Sequence, residues 1–223
     1  MGVKRAWLAA AVLAGLSWMA PALGQIPIPV DLEMALAADG SGSIDDAELK
    51  LQRQGYAEAL AHPRVLAVIR DEASARAFGE KLFQAPRAAF GYNSIPNAIT
   101  FSAERIETNR YKSARRIIDV SGDGPQIGGW PLEEVRRETM AKGITVNALV
   151  IETEPGALRG PGGTPLIEHY ECDVIGGAGA FVAVARDRER FSQAILKKLV
   201  LEIAETPKLA WKTSRRRANN TLI

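Results

Sequence analysis

Two short stretches of this sequence gather oxygen donors around glycines. The first, Asp39-Gly40-Ser41-Gly42-Ser43, places a carboxylate and two hydroxyls at alternate positions. The second, Ser121-Gly122-Asp123-Gly124, offers a further hydroxyl and a second carboxylate. Glycine between the donors lets the backbone turn tightly, so that several side chains reach one centre. An all-oxygen donor set suits hard divalent cations, namely Mg²⁺, Ca²⁺ or Mn²⁺. Asp123 would then complete the set from a second loop, directly or through water.

Other chemistries compete for the same residues. Spacing alone also matches an EF-hand-like calcium loop over residues 37–48, with Gly42 at loop position 6, Ile44 at 8 and Glu48 at 12. That loop lacks its first ligand, because Ala37 stands there, and the residues before it alternate like a strand. The plainest reading is structural: Asp39, Ser41 and Ser43 cap a helix and satisfy turn amides, and Asp123 serves a tight connection. Asp119 lies inside an apolar strand, where a paired or edge-facing structural carboxylate is expected. A Ser-His-Asp hydrolase is disfavoured, since Ser41 and Ser121 lack the Gly-x-Ser-x-Gly context and neither His62 nor His169 lies in a nucleophile motif. Gly176-Gly177-Ala178-Gly179 precedes a strand instead of linking strand to helix, so it reads as a turn and not a phosphate loop.

The elements that would position these loops follow from periodicity. Leu32, Met34 and Leu36 alternate with polar or small residues and predict a strand over 31–38. Asp45 and Asp46 favour a helix start, and His62-Pro63 interrupts it. Helical patterns continue over 64–84 and 95–108. A buried strand is expected over 116–121, a helix over 132–142 capped by Gly143, and a strand over 144–151. Residues 152–165, rich in glycine and proline, read as an exposed loop. A strand over 180–184 and a helix over 191–204 complete the chain. Strands alternating with helices imply an α/β, three-layer fold with a mostly parallel sheet, whose loops at the carboxyl ends of the strands form the ligand edge.

Composition is ordinary for a globular chain of 223 residues, 47% hydrophobic and 24% charged. The net charge of +2 conceals an asymmetry. Lys4 and Arg5 precede an apolar run from Trp7 to Ala20, with small residues at Ala22 and Gly24, and residues 1–24 therefore read as a cleaved signal peptide. The expected location is periplasmic or secreted. Residues 205–223 form a basic, disordered tail with Lys208, Lys212 and Arg215 to Arg217, the one place where membrane contact is considered. What remains, residues 25–204, is mildly acidic, which argues against nucleic acid as a partner. Cys172 is the only cysteine, so an internal disulfide is impossible and a small buried residue is expected there.

The ordered set of motifs resembles a known family. Asp39-x-Ser41-x-Ser43 after an apolar strand looks like the first segment of the metal-ion-dependent adhesion site of von Willebrand factor type A domains, and Asp123 in Ser-Gly-Asp-Gly looks like its third. Leu51-Gln52-Arg53-Gln54-Gly55-Tyr56, Ile118 to Pro125 and Val174 to Phe181 resemble an uncharacterised secreted bacterial branch of that superfamily. The resemblance covers residues 30–204 and implies a non-catalytic domain that binds a protein partner's carboxylate through a divalent cation, Mg²⁺ foremost. It also implies a second metal segment with a threonine, where this chain reads Gly91-Tyr92-Asn93-Ser94-Ile95. Asn93 takes the threonine's place, with Ser94 beside it as an adjacent hydroxyl. A further departure is the loss of two sheet strands expected after the first helix, which leaves the strand at 31–38 as an exposed edge. If the site is degraded, the implied alternative is a metal-independent interaction or scaffold protein.

Overall fold

The computed structural model describes residues 26–204, apart from residues 43, 70, 88–90, 92, 153–155, 157 and 187. The expected leader, the basic tail and Ser43 lie outside the described residues. β1 (Ile28–Pro29) is followed by β2 (Glu33–Ala38), α1 (Asp46–Leu60), the single turn α2 (Pro63–Leu66), α3 (Glu72–Gln84) and α4 (Ile95–Thr108). Then come β3 (Tyr111–Lys112), β4 (Arg116–Gly122), α5 (Leu132–Ala141) and β5 (Ile144–Ile151). A 3-10 turn at Pro161–Gly163, α6 (Leu166–His169), a π-helical turn at Tyr170–Val174, β6 (Val182–Ala185) and α7 (Arg188–Ala204) end the described chain.

The main sheet has the order β2-β4-β5-β6, and every adjacent pair is parallel. Its register sets Ala38 opposite Ser121 and Gly122 opposite Val150. Two donor-bearing loops thus leave neighbouring strand ends on one edge of the sheet. Between α1 and α4, where the resemblance implies two strands, the described residues contain only α2 and α3. Helical patterning over 64–84 is broken at residues 67–71. Asp71 restarts the helix there, its carboxylate accepting the Ser74 N–H at 3.0 Å. The two-stranded pairing of β1 with β3 carries no signal in the sequence. β6 begins two residues later than expected and α7 three residues earlier. Among the described residues no helix is long and apolar enough to cross a membrane.

Alternation along the central strands sorts their side chains into two layers. Ile118, Val120, Val146, Ala148 and Val150 pack with Ile95 and Ile99 of α4 on one face. Leu149 packs with Tyr56 of α1 and with Ile195 and Leu199 of α7 on the other. Within this second layer lies a polar cluster with no role at the loop edge. Asp119 and Asn147 stand opposite each other on β4 and β5. Lys198 of α7 reaches Asp119 at 2.5 Å and also pairs with Glu202, which accepts a hydrogen bond from the Asn147 amide at 2.9 Å. All four residues are buried, so Asp119 is the paired structural carboxylate that its place in an apolar strand predicts.

Burial, followed by the charge of Asp119, raises the Glu202 carboxyl from its ordinary value to about 7, against the pull of Lys198. Folding therefore favours the protonated acid. Its contribution is fully present below the ordinary carboxyl pKa and is lost as pH rises through about 7. Urea denaturation at pH 5 and pH 8 should show the lower stability at pH 8. Glu202→Gln, which mimics the neutral acid, should narrow that difference.

Candidate metal centre

The first loop is shaped by its own aspartate. The Asp39 N–H donates to the Ser121 carbonyl at 2.8 Å, continuing the β2–β4 ladder one step beyond Ala38. Asp39 Oδ1 then accepts the Ser41 N–H at 2.7 Å and turns the chain. Asp39 Oδ2 is buried and makes no hydrogen bond. Helix capping does not account for this carboxylate, because α1 is capped by Asp45. Asp45 Oδ1 accepts the Glu48 N–H at 2.7 Å, and Glu48 reaches back to the Asp45 N–H at 3.3 Å. The same observation removes the EF-hand-like loop. A strand enters it, and its twelfth residue is turned toward the helix cap.

Arg87, which the sequence did not single out, holds the loop from below. Its guanidinium donates to the carbonyls of Ser41 at 3.2 Å and Ile44 at 2.6 Å. Gly42 N–H donates to Gly91 O at 2.9 Å and thereby ties the loop to the segment that carries Asn93. The Asn93 amide donates to Gly124 O at 3.4 Å, and Ile127 N–H donates to Asn93 O at 2.7 Å. Three sequence-distant segments are thus joined.

Tyr170 closes the floor. It is fully buried, and its hydroxyl donates to Gly124 O at 2.9 Å. Burial raises its pKa most, and the charges of Asp39 and Asp123 raise it further. The hydroxyl is therefore a neutral donor, already committed to a carbonyl, and leaves Asp39 Oδ2 without a hydrogen bond. Tyr170 was missed because no element was assigned to residues 166–174. The signal was present in Leu166, Tyr170 and Val174, three buried apolar residues spaced at four.

Gly122 packs between these groups. A Cβ there would lie 2.8 Å from the Tyr170 hydroxyl oxygen and 3.4 Å from Asp39 Oδ2. Gly122→Ala should cost about 1–3 kcal/mol in thermal or urea unfolding, and displacing the tyrosine should weaken any ion bound beside it. Tyr170→Phe offers the comparison, since it removes the hydroxyl while leaving the space.

Of the predicted donors, Asp39, Ser41, Asn93 and Ser94 line one cavity of about 430 Å³, together with Ser121 and Tyr170. Asp123 lies between Gly122 and Gly124 and acts on the same tyrosine. Ser94 Oγ turns toward Gly128 O at 3.4 Å, so it stands at the cavity without being drawn to the carboxylates. Ser41 and Ser121 are buried, and Ser121 Oγ makes no hydrogen bond. Ser43 lies outside the described residues. Neither His62 nor His169 lines the cavity; His169 pairs with Asp173 at 2.7 Å. Cys172 is exposed, contrary to expectation, because it projects outward from the turn that buries Tyr170 and Val174.

Among the described residues no group of three or more His, Cys, Asp or Glu side chains comes together. The donors lining the cavity are the Asp39 carboxylate, the Asn93 amide and the hydroxyls of Ser41, Ser94 and Ser121, and Asp123 is not among its lining residues. An orphaned, buried carboxylate oxygen packed against the Gly122 end of the Asp123 loop fits a small hard cation better than it fits a turn.

A parallel α/β sheet in this order, with helices on both faces, has the fold of a von Willebrand factor type A domain. The chain belongs to a family described as "Protein of unknown function (DUF1194)", whose profile matches residues 29–73 and 66–207. It is similar in structure to a von Willebrand factor type A protein from Catenulispora acidiphila, at 14% identity and TM-score 0.54, over 78% of this chain and 42% of that one. The pilus adhesin SpaC from Lactobacillus rhamnosus GG matches at 10% identity and TM-score 0.54, over 80% of this chain and 31% of its own. Proximal thread matrix protein 1 from the mussel byssus matches at 14% identity and TM-score 0.52, over 81% of this chain and 48% of its own. The chain spans less than half the length of these structures, and at such identities the likeness is one of fold. No curated protein matches the sequence.

Proposed function

We propose that this chain is a non-catalytic, exported binding domain, periplasmic or secreted, whose loop edge holds a divalent cation for a protein partner's carboxylate. The observation that carries the reading is Asp39 Oδ2, buried and unpartnered beside the loop of Asp123. Asp39, Ser41 and Asp123 would hold the ion, with Asn93 supplying its amide oxygen after a flip, and Ser43 and Ser94 as further hydroxyl donors. Mg²⁺ is the favoured ion, with Mn²⁺ and Ca²⁺ as alternatives. When bound, the cation neutralises the two acids and offers an open position to an incoming carboxylate. The chain's own groups do the rest: Arg87 fixes the loop, and Tyr170 excludes water from the floor. A catalytic role is not proposed, since no histidine reaches Ser41 or Ser121. That one of the similar structures is a pilus adhesin accords with a binding role.

The metal-independent scaffold keeps one observation in its favour. Asn93 presents its nitrogen to Gly124 O, and the threonine implied by the resemblance is absent. Calorimetric titration of Mg²⁺, Mn²⁺ and Ca²⁺ into the metal-stripped mature chain decides between the two. Saturable binding that Asp123→Ala weakens by about 100-fold, near 3 kcal/mol, supports the cation site. A folded wild type that binds none of the three leaves the scaffold.

A further inference from the structure

The cavity at the metal centre does not stop at the loops. It continues down β2 past Ala38, Ala37 and Ala35, and is walled by Ala98, Phe101 and Arg105 of α4. β2 pairs with β4 on one side, and among the described residues no strand pairs with its other side. The ladder assigns the backbone groups. Glu33 N–H and Asp39 N–H both donate into β4, to Arg115 O and Ser121 O. In a parallel pair every second residue bonds to the same neighbour, so the N–H and C=O groups of Met34, Leu36 and Ala38 face the open side. This edge carries no proline or lysine within Glu33–Ala38 to block pairing.

The helices decide what fits there. α1 packs against α7 on one flank and α3 on the other, and α7 lies over β5 and β6. α3 therefore sits on the flank of α1 away from α7. It is held close, because a Cβ on Gly79 would come 3.2 Å from Ala57 Cα. With α4 packed over one face of the edge, a second copy of the domain would have to fit its own helical layers around that helix. A single extended segment can enter. Phe101 is 59% exposed on the groove wall, with the Arg105 guanidinium stacked 4.9 Å from its ring. Arg105 follows Ser94 by eleven residues, roughly 16 Å along a helix. Same-face positions four to six apart on a strand span roughly 13–20 Å.

We propose that the partner of this domain is an extended acidic peptide segment that adds to β2 as a further strand, one carboxylate at the Asp39 loop and another at Arg105. The upper carboxylate rests on the cation reading above, whereas the backbone pairing does not. Small residues between the two acids would face Ala35 and Ala37, leaving room beneath α4.

The test is amide hydrogen exchange by NMR on the mature full chain with Mg²⁺. The probe is the synthetic peptide acetyl-Val-Asp-Val-Ala-Val-Asp-Val-amide. In the free protein the amides of Met34, Leu36 and Ala38 should exchange roughly 100-fold faster than those of Ala35 and Ala37. The peptide should slow them at least tenfold, and a version with proline at its centre should not. Ala38→Pro removes an open-side N–H and no β4 bond, so it should lose the peptide while still titrating Mg²⁺. Arg105→Glu should weaken the peptide about tenfold.

Three results overturn the proposal. Open-side amides already slow in dilute free protein would place another segment of this chain on the edge. Slowing that grows with protein concentration would place a second copy there. No slowing by millimolar peptide, in protein that binds Mg²⁺, would remove strand addition and leave the cation site standing. Peptide protection in protein that binds no ion would support strand addition and defeat the cation reading.

Discussion

Asp39→Asn should abolish measurable Mg²⁺ binding while the protein folds as before. The substitution keeps Oδ1 to accept the Ser41 N–H, the bond that shapes the turn at 2.7 Å, and removes the charge that a divalent ion needs. Loss of a direct carboxylate from a site with only two should weaken binding by a factor of 100 or more, about 3 kcal/mol. Thermal unfolding then separates ligation from structure. In the wild type, Mg²⁺ at 100 times its dissociation constant should add about 2.7 kcal/mol of stability, and in Asp39→Asn it should add none. In chelator the order should reverse. The wild type then holds a buried, unsatisfied carboxylate oxygen near a second acid, whereas the amide carries no charge to desolvate. A variant that is less stable in chelator and still shifted by Mg²⁺ would show that Asp39 only builds the turn.

The second large effect lies away from the site. Lys198→Met should destabilise the domain by about 3–5 kcal/mol, because it leaves Asp119 and Glu202 buried together without their cation. Methionine keeps the apolar stem, so the loss reports the charge and not a cavity. Against a total stability of about 5–15 kcal/mol for a typical domain, many molecules would be unfolded at growth temperature. The deficit should shrink at low pH, where Glu202 is protonated and needs no partner. Denaturant titrations of both proteins at pH 5 and pH 8 check this. A double substitution, Lys198→Met with Glu202→Gln, should recover part of the loss at pH 8. A Lys198→Met protein as stable as the wild type at pH 8 would mean that water reaches the cluster.

Much of the architecture was readable because the central strands obey short-range rules. Ile144–Ile151 was expected to the residue, since its apolar run is bounded by Gly143, whose φ of +73° ends α5. Ile95–Thr108 was legible for a similar reason, with buried positions at Ile95, Ile99 and Ile106 and a proline in its first turn. The chain ahead of Ile95 resisted. α2 and α3 share an apolar pattern that continues across the break, and only the Asp71 cap shows where one helix ends and the next begins.

The candidate site was legible as chemistry but not as an assembly. Asp39, Ser41 and Asp123 could be named from residue type and spacing, because oxygen donors alternating with glycine are a local property of the chain. Asn93 and Ser94 entered only through the family resemblance. The sequence by itself determined the parallel α/β order, the edge on which both loops emerge and the acidity of that edge. Only the tertiary structure decided that Arg87 grips the first loop, that Tyr170 spends its hydroxyl on Gly124, and that Asp39 Oδ2 is left without a partner. Whether a polar atom is satisfied depends on groups 43 to 46 residues away in the chain for Arg87 and Tyr170, and no local pattern encodes that distance.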